Sequence, residues 1–227
     1  MRQTARCDRA RRTGGAGGFT LIELLVAIAI LAVVALLAWR GLDAIVRGRE
    51  TITRSMAEER VFAQMFDQMR IDAREAASDD EAGGLAVSLE GGALQIVRAF
   101  AVPPGAAPRL QVVRYRVTDG EVVRYASPPL ANLGELRRSL RGGESGDWSA
   151  LPMMRGVDVI NARLYVPKTG WTSNMQDVHA QLTDNNNGLK VPQLGNAPAP
   201  RAVTGLQVSV GSRSLAQPVT RVFLVGE

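Results

Sequence analysis

Apolar and polar positions divide this 227-residue chain into three regimes. From Phe19 to Trp39 the apolar run is nearly unbroken, and Glu23 is its only ionisable side chain. As a helix at about 1.5 Å per residue, this segment reaches about 31 Å, enough to cross the hydrocarbon core of a bilayer. After Trp39 polar residues enter but the helical period persists. Leu42, Ile45, Ile52, Met56, Phe62, Phe66, Met69 and Ala73 recur mostly at steps of three and four, with Arg47, Glu50, Arg54, Glu58, Arg60, Gln64 and Asp67 on other faces. The pattern predicts one nearly continuous helix from about Phe19 to about Ala77, with its second half packing an apolar stripe on the following domain. Gly41 and Gly48 each lower helix propensity by about 1 kcal/mol just outside the membrane segment, and read either as a cost that a long helix tolerates or as a hinge. Asp79-Asp80-Glu81 and then Gly83-Gly84 are expected to end it, because acidic side chains oppose the negative end of the helix dipole.

Beyond residue 84 the period changes to two. Leu85–Leu89 and Ala93–Ala101 flank Glu90-Gly91-Gly92, and Arg109–Val117 and Glu121–Ala126 flank Thr118-Asp119-Gly120, so two hairpins are predicted. Val113, Tyr115 and Val117 alternate with Arg114 and Arg116, which predicts one buried and one wet face. Residues 127–152 read as loop-rich with a short helix near Asn132–Leu140, and strands resume at Val157–Val166, Val203–Val210 and Val219–Val225. The stretch from Pro167 to Arg201, rich in Asn, Gly and Pro, reads as an irregular surface region. Within it Trp171 is either packed down on the sheet or a candidate partner interface. The fold class is therefore α+β: a long N-terminal helix packed on an antiparallel β-sheet domain.

The residues before the apolar run are short, polar and basic, with Arg2, Arg6, Arg9, Arg11 and Arg12 against Asp8. A secretory signal places its apolar region before the cleavage site, whereas here the apolar region follows Gly17-Gly18. A cut between Gly18 and Phe19 would leave the membrane helix on the mature chain and put a free amine four residues before Glu23. A carboxylate near the middle of such a helix costs on the order of 2.5–3.5 kcal/mol, less near an end, and so calls for a partner. Gly18, Phe19 and Glu23 together resemble the type IV pilin and pseudopilin superfamily, whose class III signal is a basic leader, Gly before the cut, Phe after it and Glu five residues into the mature chain. The resemblance implies that a membrane-embedded prepilin peptidase removes residues 1–18 and methylates the Phe19 amine.

Charge and chemistry narrow the function further. The chain carries 27 Lys and Arg against 22 Asp and Glu, but removing the leader's five Arg and one Asp leaves 22 against 21. Nucleic acid is therefore not an expected partner. The leader arginines read instead as a positive-inside signal, which predicts a cytoplasmic N-terminus and an extracytoplasmic C-terminal domain; the resemblance implies that the membrane is the bacterial inner membrane, crossed once, and that the domain is periplasmic. The single cysteine, Cys7, lies in the leader, so the mature chain has none for a disulfide. No cofactor, metal or catalytic constellation is expected. His179 has no second histidine, and Ser145 lies in Gly-Glu-Ser-Gly rather than a nucleophile elbow. Asp184-Asn185-Asn186-Asn187-Gly188, with Asp177 nearby, has oxygen ligands suited to calcium, but its Gly comes one position early and the twelfth position is Gly195. It reads as a solvated turn.

Beyond the N-terminus, Trp39-Arg40-Gly41-Leu42-Asp43-Ala44-Ile45, Ala202 to Val208 and Val219 to Val225 resemble the J-type minor pseudopilin of type II secretion systems. Relative to major pilins, Arg40 stands where a kinking Pro is common, the disulfide pair is missing and the soluble domain is larger. The presence of Glu23 departs from the K-type tip subunit. The resemblance divides the chain into a leader (1–18), a transmembrane helix (19–39), its amphipathic continuation (40–77) and a periplasmic β-rich domain (78–227). It implies a non-enzymatic subunit that joins I- and K-type minor pseudopilins in a pseudopilus tip. The major pseudopilin and an inner-membrane assembly platform would be further partners, with assembly driven by a cytoplasmic ATPase. Glu23 would then dock on the methylated amine of a neighbouring Phe19. A minor pilin that primes a type IV pilus shares this N-terminus and is the alternative.

Overall fold

A computed structural model describes residues 18–100, 109–144, 146–188, 200–212 and 217–226. The chain divides into two compact units at Met56 and Ala57. One helix, α1 (Leu21–Arg74), runs through both, uninterrupted at Arg40, Gly41 and Gly48. In the first unit every described residue is exposed, including Leu42, Ile45, Ile52 and Met56 of the expected apolar stripe. Burial begins only at Phe62, and the buried positions are Phe62, Met65, Phe66, Met69, Asp72 and Ala73.

Helix α1 stops three residues earlier than expected, for a different reason. Asp79-Asp80-Glu81 do not close it but open a new turn, α2 (Asp79–Ala82), where acidic side chains favour the positive end of the helix dipole. Ser78 caps this turn through a capping box with Glu81: Ser78 Oγ accepts from the Glu81 N–H at 3.2 Å, and the Glu81 carboxylate accepts from the Ser78 N–H at 2.8 Å. Asp79 also accepts from the Ala86 N–H at 3.0 Å and the Ala202 N–H at 2.7 Å, tying the turn to two distant segments.

The strands form two antiparallel sheets. The first is a meander of β1 (Val87–Glu90), β2 (Ala93–Phe100), β3 (Arg109–Thr118), β4 (Glu121–Ala126) and β5 (Ser149–Arg155). Its two foreseen hairpins close through two-residue turns, Gly91-Gly92 and Asp119-Gly120, all four residues at positive φ. That left-handed pair matches strand twist and favours Gly and Asp. The second sheet comprises β6 (Val157–Val166), β7 (Gly170–Thr172), β8 (Gly205–Ser212) and β9 (Val219–Leu224) in the order β7-β6-β8-β9. Together with the second half of α1, these sheets enclose one core that includes Ile96, Val113, Tyr115, Leu164, Leu206 and Phe223.

Three expectations are corrected here. Within residues 127–152 the short helix expected near Asn132–Leu140 is present as α3 (Leu133–Arg141), capped by Asn132, but the stretch expected to be loop also contains the start of the edge strand β5 at Ser149. The 167–201 stretch contains β7 and a 14-residue helix, α4 (Met175–Gly188), with buried Val178 and partly buried Met175 and Leu182 against the core. Apolar spacing of three to seven residues supplied that helix even though Asn and Gly populate its end. The third correction concerns β3, whose outer face is not uniformly wet. Val112, Val97 and Leu136 form a second cluster beneath α3, and Arg114 is buried beside it.

Arg114 is accommodated there because α3 ends directly above it. Its Nη2 donates to the Ser139 and Leu140 carbonyls at 2.9 and 3.0 Å, Nη1 to the Gly142 carbonyl at 3.0 Å, and Nε to Gln95 at 2.8 Å. Those carbonyls lack helical partners and carry the negative end of the dipole, so a guanidinium satisfies both. Trp148 lies across its other face, with the ring centroid 4.9 Å from Cζ. Burial pushes the nearby Glu144 carboxyl up, but a hydrogen bond to its own backbone, the Arg116 hydrogen bond and the charges of Arg116 and Arg114 outweigh it and lower it.

Candidate functional site

Gly18, Phe19 and Thr20 are exposed and precede the first turn of α1. Thr20 and Glu23 form a reciprocal pair: Glu23 N–H donates to Thr20 Oγ1 at 3.3 Å, and Thr20 N–H and hydroxyl donate to Glu23 Oε2 at 3.2 and 3.3 Å. This is a capping box, and its Thr-x-x-Glu spacing was legible in the sequence. Reading Glu23 only as a carboxylate in lipid missed that its own helix end answers part of its need. The pair orders the first turn, and the positive end of the helix dipole favours the carboxylate there. Both bonds from Thr20 fall on Oε2, while a carboxylate has acceptor capacity on both oxygens.

From Leu21 onward the helix shows apolar side chains on every face, with Leu21, Ile22, Leu25, Ile28, Leu31 and Trp39 all more than half exposed. A helix apolar all round belongs in lipid or inside other helices. Among the described residues, α1 is the helix long and apolar enough to cross a membrane, and it carries none of its apolar window inside the fold. Residues 15–39 match the family model described as the prokaryotic N-terminal methylation motif. The chain opens with a prepilin-type motif. That motif implies processing by a prepilin peptidase, and the long apolar helix agrees with a single-pass membrane anchor. No curated protein matches the chain.

The prepilin motif covers the N-terminus only, and the other residues singled out in the sequence lie elsewhere. Trp171 sits half-buried in β7, edge-on to Tyr165 with centroids 5.2 Å apart. Arg163 Nη2 donates to its carbonyl at 2.9 Å. Gly205 lets the pair lie close to β8, since a Cβ there would come to 3.0 Å from Tyr165 Cβ and 3.3 Å from the Trp171 ring. Trp171 therefore packs on its own sheet. His179 is exposed on α4, its Nδ1 2.6 Å from the Met175 carbonyl. Asp184 to Asn187 form the last turn of α4 rather than a loop, with Asn185 held by Gln181 at 2.8 Å and donating to the Pro200 carbonyl at 3.1 Å.

The most concentrated polar cluster was not anticipated. Asp72 lies on the buried stripe of α1 and is fully buried. Its Oδ2 accepts from Arg124 Nε at 2.7 Å and from the Tyr115 hydroxyl. Its Oδ1 accepts from Arg124 Nη2 at 3.0 Å and Gln68 Nε2 at 3.1 Å, and lies 2.8 Å from Arg98 Nη1. Arg98 is paired in turn with Glu75. The clue was an acid three residues after Met69 in an otherwise apolar stripe, facing strands that carry buried Arg. For Arg124, burial opposes the charge, but the Asp72 hydrogen bonds and charge outweigh it and raise its proton affinity.

Burial and the Asp72 charge push the Tyr115 phenol far above its ordinary range. Above about pH 10 the unfolded chain releases this proton while the folded chain keeps it. The unfolded state then binds fewer protons, so stability falls as pH rises. The expected result is that the folded parent and a folded Tyr115→Phe variant show the same phenolate absorbance until alkaline unfolding, when the parent gains one extra phenolate. A parent that ionises an additional phenol while still folded contradicts this.

Proposed function

We propose that this chain is a minor pseudopilin of a type II secretion system, assembling with I- and K-type pseudopilins at the tip of the pseudopilus. The observation that carries the reading is the methylation motif at residues 15–39, whose helix begins with a membrane-length apolar segment that no other described residue covers. Prepilin peptidase would cut between Gly18 and Phe19, leaving an amine that it methylates. Glu23, with Oε2 engaged by Thr20, would offer Oε1 to the Phe19 amine of a neighbouring subunit. In a low-dielectric setting that pairing offsets part of the carboxylate's desolvation cost and fixes the stagger between helices. The N-terminus would face the cytoplasm and the strand-bearing unit the periplasm, with the major pseudopilin and an inner-membrane platform as further contacts. The J-type assignment draws support from the resemblance at Trp39–Ile45 and in the last two strands. Catalysis, cofactors, metals and nucleic acid have no part in this function.

The soluble unit begins its buried contacts at Phe62, so a fragment from Arg40 onward retains all of them. This fragment is expected to be monomeric alone and to form a heteromer with the corresponding domains of I- and K-type subunits. Light scattering of the mixture at concentrations well above about 10 μM should reveal the complex, since an interface worth roughly 8 kcal/mol is populated there. Absence of any heteromer contradicts the tip assignment and favours the minor pilin that primes a type IV pilus.

A further inference from the structure

Among the described residues four strands stand at the edges of the two sheets, and three of them are guarded against a further strand. Strand β1 is four residues long, and Met175 Sδ already accepts from its Leu89 N–H at 3.3 Å. Strand β5 carries Pro152 and pairs with β4 across a bulge, and β7 is three residues long. Short length, proline, bulges and cover are the ways in which proteins blunt an edge. Strand β9 has six residues with neither proline nor bulge. Its open backbone groups follow from the register. The Val225 N–H donates to the Thr204 carbonyl at 3.1 Å while Gly205 faces Leu224, so Val219, Arg221 and Phe223 spend their N–H and C=O on β8. Thr220, Val222 and Leu224 turn theirs to the unpaired edge.

The side chains of β9 point to the same occupant. Phe223 packs into the core, yet Val222 and Leu224 on the other face are 57% and 60% exposed. Apolar residues on both faces are the pattern of a strand covered on both sides, not of an edge. On the inner side a groove of about 720 Å³ runs along β9, lined across from it by Phe62, Ala63 and Phe66 of α1. Arg221 stands in that groove, its Cζ 5.9 Å from the Phe66 ring centroid and its Nη1 donating to the Thr220 carbonyl at 3.2 Å. Among the described residues it pairs with no carboxylate. Pairing with a second β9 would gather two Arg221 side chains on this face, which like charge disfavours. We propose that the free edge of β9 is a strand-addition site for an extended segment of a partner polypeptide, apolar on both faces and bearing a carboxylate opposite Arg221. The partner's backbone meets Thr220, Val222 and Leu224, and its carboxylate draws Arg221 off the Thr220 carbonyl. Main-chain bonds then supply affinity and charge supplies selection. The site rests on the geometry of β9 and not on the assignment to a secretion system.

The test uses the full chain in detergent and an acetylated, amidated synthetic peptide, Lys-Val-Ile-Val-Glu-Thr-Val-Lys, whose glutamate falls opposite Arg221 when it runs antiparallel to β9. Hydrogen exchange followed by mass spectrometry reads the strand. With about 1 mM peptide, exchange of the Thr220, Val222 and Leu224 amides is expected to slow about tenfold, as mass action gives for a dissociation constant near 0.1 mM. A peptide with lysine in place of the glutamate should slow them far less, and Arg221→Glu should invert that preference. Val222→Pro should abolish the slowing while the chain stays folded, because the N–H it removes makes no bond to β8. No slowing in β9, slowing that survives Val222→Pro, or a preference that Arg221→Glu leaves unchanged each overturn the proposal. Neither a peptidase nor a pseudopilin enters the measurement, so absence of methylated Phe19 would refute the proposed function and leave this result standing.

Discussion

Asp72→Ala is expected to lower the stability of the strand-bearing unit by about 3–5 kcal/mol, the range found when one member of a buried ion pair is removed. The carboxylate is fully buried and receives Arg124 through two nitrogens, Arg98, Gln68 and Tyr115. Truncation leaves the buried Arg124 guanidinium with no counter-ion and Arg98 with Glu75 alone, and a cavity besides. Small domains are stable by only about 5–15 kcal/mol, so this loss takes a large share of the total. Urea unfolding followed by tryptophan fluorescence measures it. A shift below about 1 kcal/mol, the scale of an exposed pair, would mean that water or neighbouring carboxylates neutralise the arginines instead.

Glu23→Val separates membrane insertion from assembly. Removing a carboxylate from the apolar helix makes insertion no harder, since its burial in lipid costs up to about 2.5–3.5 kcal/mol. The variant should therefore reach the membrane at the parent's level. Pseudopilin partners copurifying with it, and secretion itself, should fall by about tenfold or more, corresponding to at least about 1.4 kcal/mol of lost pairing. Losing the capping box would add local fraying of the first turn, worth about 1 kcal/mol. Glu23→Gln tests which term matters, because an amide oxygen still accepts from Thr20 but carries no charge for a neighbouring amine. Wild-type copurification of both variants contradicts the pairing.

The long helix and both hairpins were legible because each rests on local rules: continuous apolar residues, period-two alternation and two-residue turns built from Gly91-Gly92 and Asp119-Gly120. Strands β4 and β6 fell at their expected limits for the same reason. What escaped depended on tertiary context. Asp79-Asp80-Glu81 read as a stop because their charge opposes a preceding helix, yet the capping Ser78 makes them a start. Arg114 read as solvent-facing by alternation, but α3 covers that face and offers it carbonyls. Helix α4 was hidden by its Asn-rich end, since composition outweighed the spacing of Met175, Val178 and Leu182. Of the candidate site, the cleavage position and Glu23 could be found from sequence because the motif is contiguous. The Asp72 cluster could not, because Arg98, Tyr115 and Arg124 lie 26, 43 and 52 positions beyond Asp72.

Everything proposed for assembly depends on the chain being matured as its N-terminal motif implies. Mass spectrometry of the protein purified from membranes of a cell that contains a prepilin peptidase reads this directly. The expected product lacks residues 1–18 and begins at a Phe19 bearing one methyl group on its amine, whereas Gly18→Ala should accumulate as the full-length precursor. A parent protein that retains its leader, or a Gly18→Ala variant with normal methylated Phe19, would contradict the account.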